Sequence, residues 1–195
     1  MPAPAEPPDP VPSPAGQRAP RKVALLDRDG TIIVDKHYLS DPAGIEFAPG
    51  ALEGLRLLRD EAFDLVLVTN QSGLARGYFD RAALERVHRR LQALLAIEGL
   101  ALRAVYVCPH GPDDGCDCRK PAPGMLRRAM RELGFLPEEA VMIGDSEADM
   151  GAAETVGVAG IRIGRDLRPA NAAADFLEAA RAACALLNAR APACP

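Results

Sequence analysis

Three features are missing from this sequence of 195 residues, and each absence excludes a class of protein. There is no excess of basic residues, because 23 Lys and Arg stand against 27 Asp and Glu, so we expect no nucleic-acid partner. There is no run of eighteen apolar residues, which argues against a membrane-spanning helix. The first twenty residues lack the apolar core of a secretory signal. We therefore expect a cytoplasmic protein with no membrane partner.

The cysteines do not have the spacing of a secreted disulfide framework. They are Cys108, Cys116, Cys118, Cys184 and Cys194. The first three fall within eleven residues, with His110 among them, whereas disulfide frameworks use an even number of more widely spaced cysteines. Three thiolates and one imidazole form the closed tetrahedral set that is typical of structural zinc. The alternative is a cluster of buried reduced thiols, which would not require the histidine. Cys184 and Cys194 are expected to have no functional role.

Prolines divide the chain into two parts. Eight of the eighteen prolines lie in residues 1–20, where large apolar side chains are almost absent. Such a segment cannot bury enough surface to offset the entropy that ordering would cost. We therefore predict a disordered tail over residues 1–20 and one folded domain over residues 21–190, which is long enough to bury a hydrophobic core.

Short apolar strands alternate with amphipathic helices along this domain. The predicted strands are Lys22–Leu26, Phe63–Thr69, Ala104–Val107, Ala140–Ile143 and Val158–Ile163. The predicted helices are Gly50–Glu61, Asp80–Glu98, Pro123–Leu133, Glu147–Val156 and Asn171–Leu187. This alternation predicts an α/β fold, a Rossmann-like three-layer sandwich with a central parallel sheet. Ligands of such sheets bind beyond the carboxyl ends of the strands.

Acidic side chains follow two of the predicted strands. Asp27 and Asp29 come after the first strand, and Asp145 and Asp149 come after the fourth. Carboxylates from separate strands repel one another unless a cation lies among them, and Mg²⁺ prefers a few carboxylate oxygens together with waters. A favourable helix start would explain Asp149 alone, but not the coincidence of two acidic loops. The pattern predicts a magnesium site.

A hydroxyl and an amine accompany the carboxylates. Thr69 ends the second predicted strand, and Lys120 follows the cysteine cluster. A lone lysine is more commonly a solvated surface charge. Lys120 is a functional candidate because it occurs together with Thr69 and the acidic loops. Hydrogen-bond donors and positive charge near a divalent cation are suited to a phosphoryl group.

Four segments, LLDRDGT, VTNQ, RKPAPGM and IGDSEAD, resemble in this order the four motifs of the haloacid dehalogenase-like phosphatases. The resemblance covers roughly residues 23–165. It implies that Asp27 is the nucleophile, which forms an aspartyl-phosphate, and that Asp29 protonates the leaving oxygen and then deprotonates water. It also implies that Mg²⁺ is bound by the side chains of Asp27 and Asp145 and by the backbone carbonyl of Asp29.

The same resemblance implies the other half of the site. Thr69 and the backbone of Asn70 would bind the phosphoryl oxygens, Lys120 would neutralise the phosphate and the nucleophile, and Asp149 would support this arrangement. Arg28, between the two aspartates of the first motif, is expected to point away from them.

A cysteine–histidine loop before the lysine motif is similar to the small capless members of this family, among them heptose-bisphosphate and histidinol phosphatases. The segments DRDGTIIVDKHYL, PGALEGL and TNQSGLARGYF look like the heptose branch. They imply removal of the C7 phosphate of D-glycero-D-manno-heptose 1,7-bisphosphate, in nucleotide-activated heptose and lipopolysaccharide synthesis. Histidinol phosphate stays open, because His37-Tyr38 stands where the heptose pattern has Gly-Tyr and only five residues separate His110 from Cys116.

The heptose branch also implies a set of substrate contacts. The candidates are Asp35, Lys36, His37, Tyr38, Thr69, Asn70, Gln71, Ser72, Arg119 and Lys120. A small phosphorylated sugar with two phosphates accounts for a second cation beside Lys120, since one lysine suffices for the reacting phosphate. Arg76 is a further basic candidate, with a surface position as the alternative. His88, in the long helix, is expected to be exposed.

A third hypothesis is a zinc-stapled binding module with an idle phosphatase site. The complete set of Asp27, Asp29, Lys120 and Asp145 argues against it, because a module without catalysis would not need all four. We expect a monomer, since no long apolar surface helix in the sequence demands a partner.

Overall fold

Six parallel strands and five α-helices alternate along residues 21–164 and 172–190, which are the residues that the computed structural model describes. The strands are β1 Lys22–Leu26, β2 Phe63–Asn70, β3 Leu102–Cys108, β4 Ala140–Gly144, β5 Ala159–Ile163 and β6 Ala172–Ala173. The helices are α1 Ala51–Asp60, α2 Arg81–Ile97, α3 Gly124–Leu133, α4 Glu147–Thr155 and α5 Phe176–Arg190. The predicted tail over residues 1–20 and Cys194 lie outside the described residues.

The strands form one sheet in the order β3-β2-β1-β4-β5-β6. Leu26 at the end of β1 pairs with Leu67 of β2 on one side and with Ile143 of β4 on the other. The chain order of the strands reverses between β1 and β4, so the loops that follow these two strands diverge and leave a crevice between them. Ligand-binding side chains are expected at this crevice.

Helices cover both faces of the sheet. Ala24 and Leu26 of β1 belong to the apolar cluster that α1, α2 and α5 cover, whereas Val23 and Leu25 belong to the cluster that α3 and α4 cover. Strands buried on both faces read as continuous apolar runs, which is why these segments could be identified in the sequence. The predicted three-layer sandwich with a central parallel sheet is confirmed.

Local capping signals fix most helix ends. The Asp80 carboxylate accepts a hydrogen bond from the N–H of Ala83 at 2.7 Å and begins α2. Gly134 ends α3 with a left-handed φ of 66°, and its N–H donates to the Met130 carbonyl. The start of α2 and the end of α3 therefore agree with the predicted helices Asp80–Glu98 and Pro123–Leu133.

The predicted start of the last helix is wrong. Ala172 and Ala173, which the sequence analysis assigned to this helix, pair with β5 as the short edge strand β6. The helix begins at Phe176, because the Asp175 side chain accepts a hydrogen bond from the N–H of Glu178 at 2.9 Å and caps it there.

Only loops lie over the crevice in the described part of the chain. Residues 27–50, between β1 and α1, contain the short 3₁₀ turn Pro42–Gly44, and no additional sheet or helical domain is inserted within the described ranges. This agrees with the predicted capless architecture. Across the same ranges, every helix is too short or too polar to cross a membrane.

Candidate active site

Three carboxylates converge at the crevice between β1 and β4. Asp27 follows β1, and its N–H donates to the Ile143 carbonyl at 3.0 Å, so the ladder with β4 continues up to this acidic residue. Asp145 follows β4, and Asp149 lies in the first turn of α4. One carboxylate oxygen from each of these aspartates lies within 4.8 Å of the others. The fold thus brings acidic residues from distant parts of the sequence to one point.

Asp149 belongs fully to this cluster and does more than begin a helix. Its Oδ2 accepts hydrogen bonds from the hydroxyl of Ser146 at 2.5 Å and from the Ser146 N–H at 3.1 Å. Its Oδ1 lies 2.5 Å from Lys120 Nζ, and the residue is almost completely buried. The helix cap therefore aims a buried carboxylate at the lysine.

Two glycines leave room for the carboxylates. Gly30 has a left-handed φ of 75°, and a Cβ atom at this position would overlap with the Asp145 carboxylate. A Cβ atom at Gly144 would overlap with the Asp149 carboxylate in the same way. Side chains at either position would push the acidic residues apart.

Lys120 is a buried cation that neutralises part of this cluster. Its ammonium group lies 2.8 Å from Asp27 Oδ1 and donates to the Val68 carbonyl at 2.7 Å. The Asn70 side chain fixes the lysine backbone, since its Nδ2 donates to the Lys120 carbonyl at 3.0 Å and its Oδ1 accepts from the Lys120 N–H at 3.1 Å. The end of β2 therefore holds the lysine in place.

Burial and mutual repulsion act on the charges of this cluster. Burial raises the pKa of Asp27 to about 7, although Lys120 beside it lowers that pKa, and Asp149 raises it further. Burial, followed by the charge of Asp149, also raises the pKa of Asp145. Burial alone would lower the pKa of Lys120, but Asp27 and Asp149 raise it above its ordinary value. Three carboxylates against one lysine leave an excess of negative charge.

This arrangement fits a hard divalent cation. Carboxylate oxygens are the ligands that Mg²⁺ prefers, and a few of them with water complete its coordination. A cation among the three aspartates would favour their ionised forms, which burial and mutual repulsion disfavour. Asp27, Asp145 and Asp149 are the acidic residues that could hold it.

Asp29 lies beside this cluster with its carboxylate held by two neighbours. Arg28 Nε donates to Asp29 Oδ2 and Arg28 Nη2 donates to Asp29 Oδ1, each at 3.1 Å. Gln71 Nε2 donates to Asp29 Oδ2 at 2.8 Å and to Thr69 Oγ1 at 2.8 Å. The expectation that Arg28 points away from both aspartates is therefore wrong, because its guanidinium group pairs with Asp29.

An open cleft of about 240 Å³ extends from Asp29. Its lining residues come from the loop after β1, the last residue of β2 and the loop after β2, and are Asp29, Asp35, His37, Tyr38, Asn70, Gln71 and Ser72. Tyr38 meets Tyr78 edge to face, with 4.6 Å between the ring centroids. Most of the predicted substrate contacts thus share one cleft. The Gln71 amide, however, is buried and bonded to protein groups.

Four predicted substrate contacts lie outside the lining of this cleft, and these are Lys36, Thr69, Arg119 and Lys120. Thr69 and Lys120 are buried. The ammonium group of Lys36 forms an ion pair with Glu46 at 3.0 Å. Arg119 is half-buried directly before Lys120, and its Nη1 donates to the His110 carbonyl at 3.3 Å. Arg76 is exposed, which agrees with the surface alternative.

The cysteine–histidine cluster forms a compact four-ligand site. Cys118 Sγ lies 3.4 Å from Cys108 Sγ, 3.5 Å from Cys116 Sγ and 3.2 Å from His110 Nδ1. Zn–S bonds of about 2.3 Å place the ligand atoms of a tetrahedral site about 3.8 Å apart. The four side chains therefore fit a tetrahedral metal such as Zn²⁺, and all three thiols are free of disulfides.

The loop that carries this cluster is anchored to the sheet. The Cys108 carbonyl accepts a hydrogen bond from the N–H of Gln71 at 2.8 Å. The Asp114 carboxylate accepts from the N–H of Gly111 at 2.8 Å, and Gly115 turns with a φ of 62° before the next ligand. These turns return the chain to the end of β3, so the cluster closes directly before Lys120.

The chain is similar to members of one hydrolase family and to several curated proteins of one name. Residues 117–184 match the model of the HAD-hydrolase-like family. The D-glycero-β-D-manno-heptose-1,7-bisphosphate 7-phosphatase of Pseudomonas aeruginosa is 42% identical, over 70% of this chain and 77% of the relative. The enzyme of the same name from Haemophilus ducreyi is 39% identical, over 71% of this chain and 80% of the relative.

The chain belongs to the heptose-bisphosphate phosphatase family of HAD-like hydrolases.

A solved structure agrees with this family. The D,D-heptose 1,7-bisphosphate phosphatase of B. bronchiseptica, complexed with magnesium and phosphate, superposes with a TM-score of 0.76 at 36% identity. The match covers 83% of this chain and 97% of that protein. The haloacid dehalogenase-like resemblance that the four motifs indicate is confirmed.

One residue of this heptose-bisphosphate phosphatase family member lies nearer to the site than its sequence position suggested. His88, expected to be exposed, is half-buried, and its Nε2 lies 3.0 Å from Arg28 Nη1. The signal was its spacing, since His88 falls four residues after Leu84 and three before Leu91, on the apolar face of α2.

Proposed function

We propose that this chain is a Mg²⁺-dependent phosphatase that removes the C7 phosphate of D-glycero-D-manno-heptose 1,7-bisphosphate. The observation that carries the proposal is the convergence of Asp27, Asp145 and Lys120 at the crevice, in a chain of this family. We further expect it to act as a monomer in the cytoplasm, where its product would serve nucleotide-activated heptose and lipopolysaccharide synthesis.

In the first step a carboxylate oxygen of Asp27 attacks phosphorus, and the bond between phosphorus and the C7 oxygen breaks. Lys120 lies in the loop between β3 and α3, and its ammonium group reaches the Val68 carbonyl beside Thr69. The ammonium group and the Thr69 hydroxyl can hold the phosphoryl oxygens. Asp29 gives a proton to the departing C7 oxygen. The products of this step are the sugar alcohol and an aspartyl-phosphate at position 27.

In the second step a water molecule attacks phosphorus, and Asp29 accepts its proton. The bond between phosphorus and Asp27 breaks, which releases phosphate and restores the carboxylate. Arg28 and Gln71 both donate to Asp29 Oδ2, whereas Oδ1 receives a hydrogen bond from Arg28 alone among the described residues. Oδ1 is therefore the oxygen with a lone pair available for the proton.

The carboxylate cluster and the cysteine cluster have separate metals in this proposal. The side chains of Asp27 and Asp145 and the carbonyl oxygen of Asp29 would hold Mg²⁺, which would supply positive charge to offset the charge of the phosphoryl group. Asp149 supports the site through Lys120.

Cys108, His110, Cys116 and Cys118 would hold Zn²⁺ in a structural role. Its binding would fix the loop from which Lys120 enters the active site.

The cleft beside Asp29 would receive the sugar. Asp35, Asn70 and Ser72 offer polar atoms for its hydroxyl groups, and Tyr38 offers an apolar ring face. Arg119, half-buried beside Lys120, is the candidate cation for the phosphate that is not cleaved.

Comparison of two substrates tests the proposed function. We expect kcat/KM for heptose 1,7-bisphosphate to exceed that for histidinol phosphate by at least about tenfold, because the second phosphate and the sugar hydroxyls find partners in the site. Released phosphate measures both reactions. A preference of tenfold or more for histidinol phosphate, which the short five-residue spacing between His110 and Cys116 favours, would overturn the assignment.

The Gly30→Ala variant tests how the carboxylates are seated. We expect at least a tenfold loss of phosphatase activity, because the new Cβ would displace Asp145, in addition to a backbone cost of about 1–2 kcal/mol. Gly99→Ala is the matched control, since Gly99 also has a positive φ, of 67°, but its Cβ would meet only the end of the flexible Arg59 side chain. Activity assays and thermal melting compare the two variants. Equal activities would contradict this role of Gly30.

A further inference from the structure

A buried arginine and a histidine form a chain of hydrogen bonds behind Asp29. We infer that His88, acting through Arg28, positions the Asp29 carboxyl group for proton transfer to the leaving oxygen, an inference that rests on the function proposed above. His88 would be a positioning residue, because it touches Arg28 and not the cleft.

The Arg28 guanidinium group is fully buried, so its N–H groups need partners within the protein. Its Nε and Nη2 form a fork on the two oxygens of Asp29, and Nη2 also donates to Gln71 Oε1 at 2.9 Å. Its Nη1 lies 3.0 Å from His88 Nε2. A fork of this kind fixes both the plane and the direction of a carboxyl group.

His88 is the hydrogen-bond acceptor for the Nη1 group of Arg28. Because Arg28 can only donate, His88 Nε2 must accept, and the imidazole is therefore neutral with its proton on Nδ1. Burial, together with the charge of Arg28, lowers the pKa of His88 to about 4, so the ring remains an acceptor at neutral pH. Removal of this acceptor would leave a buried N–H group unpaired and loosen the fork.

The same series of hydrogen bonds extends to Thr69, on the phosphoryl-binding side of the site. Gln71 accepts from Arg28 and donates to both Asp29 and Thr69. One connected network thus sets both the orientation of the Asp29 carboxyl group and the position of the Thr69 hydroxyl group. A small rotation of Arg28 would therefore turn the proton of Asp29 away from the leaving oxygen.

The test replaces His88 with phenylalanine, which keeps a ring and removes the acceptor. Two substrates are compared, because the C7 alkoxide of heptose 1,7-bisphosphate needs a proton to leave, whereas the phenolate of p-nitrophenyl phosphate does not. We expect His88→Phe to lower kcat/KM for the heptose substrate by about tenfold or more, and that for the aryl phosphate by less than about threefold. His88→Gln, whose amide oxygen can accept from Arg28, should recover most of the loss.

Two further variants separate the possible outcomes. Asp29→Asn should show the same leaving-group dependence more strongly, by about 10²–10⁴-fold for the heptose substrate. If Asp29→Asn does not show it, the proposed acid is wrong. If Asp29→Asn shows it, but folded His88→Phe loses both activities equally or neither, the positioning role of His88 is overturned. His88→Leu repeats the test if His88→Phe does not fold.

Discussion

Replacement of Asp27 by asparagine is expected to lower phosphate release by about three orders of magnitude or more while the fold is kept. The amide has nearly the same shape as the carboxyl group, but it cannot form an aspartyl-phosphate. Lys120 would keep its contacts with the Val68 carbonyl and with Asp149. Burial raises the pKa of Asp27 to about 7, so the variant also removes a group whose charged form burial disfavours. We therefore expect no loss of stability.

Phosphate release from heptose 1,7-bisphosphate and thermal melting measure these two effects. Asp60→Asn, at the exposed end of α1, is the matched control, because it loses a charge far from the crevice and should retain wild-type activity. Activity of Asp27→Asn above one-tenth of wild type would show that another group is the nucleophile.

Replacement of Cys118 by serine is expected to remove the zinc and to lower both stability and activity. Cys118 Sγ is close to the three other ligand atoms, so the remaining side chains could not complete a tetrahedral site. We expect metal content to fall from about one Zn per chain to a small fraction of that. A loss of about 3 kcal/mol would lower the melting temperature by about 6–12 °C. Activity should fall because Lys120 follows two residues later.

Metal analysis, thermal melting and phosphate release on the same preparation measure the three effects. Cys184→Ser is the control, since Cys184 is a buried cysteine of α5 outside the cluster and its variant should keep full zinc. If Cys118→Ser retained zinc at the wild-type level, the assignment of the cluster as a zinc site would be wrong.

The parts of the fold that local sequence determines could be predicted. β1 and β4 are buried on both faces, so Lys22–Leu26 and Ala140–Ile143 stand out as apolar runs. Asp80 and Gly134 mark helix ends through contacts within a few residues. The edge strand β6 could not be predicted, because Ala172 and Ala173 become a strand only through pairing with β5. The local signal for the start of α5 was Asp175, which caps the helix.

In the site, too, features that depend on local sequence could be predicted and features that depend on distant contacts could not. Each acidic residue could be placed at a strand end from its position after an apolar run, and the sheet topology then brings those ends together. The role of Arg28 depends on Gln71 at the end of β2 and on His88 in α2, which are far away in the sequence. The residues next to Arg28 in the sequence do not indicate that side chains from distant elements will surround it.

The proposed mechanism requires Asp27 to carry the phosphoryl group during turnover. The most direct measurement is rapid quenching of the enzyme with heptose 1,7-bisphosphate, followed by borohydride reduction, which converts phosphoaspartate to homoserine, and peptide mass spectrometry. We predict homoserine at position 27 in the wild type and none in Asp27→Asn. Homoserine at the position of another aspartate, or rapid turnover with no modified residue at any time point, would show that Asp27 is not the nucleophile.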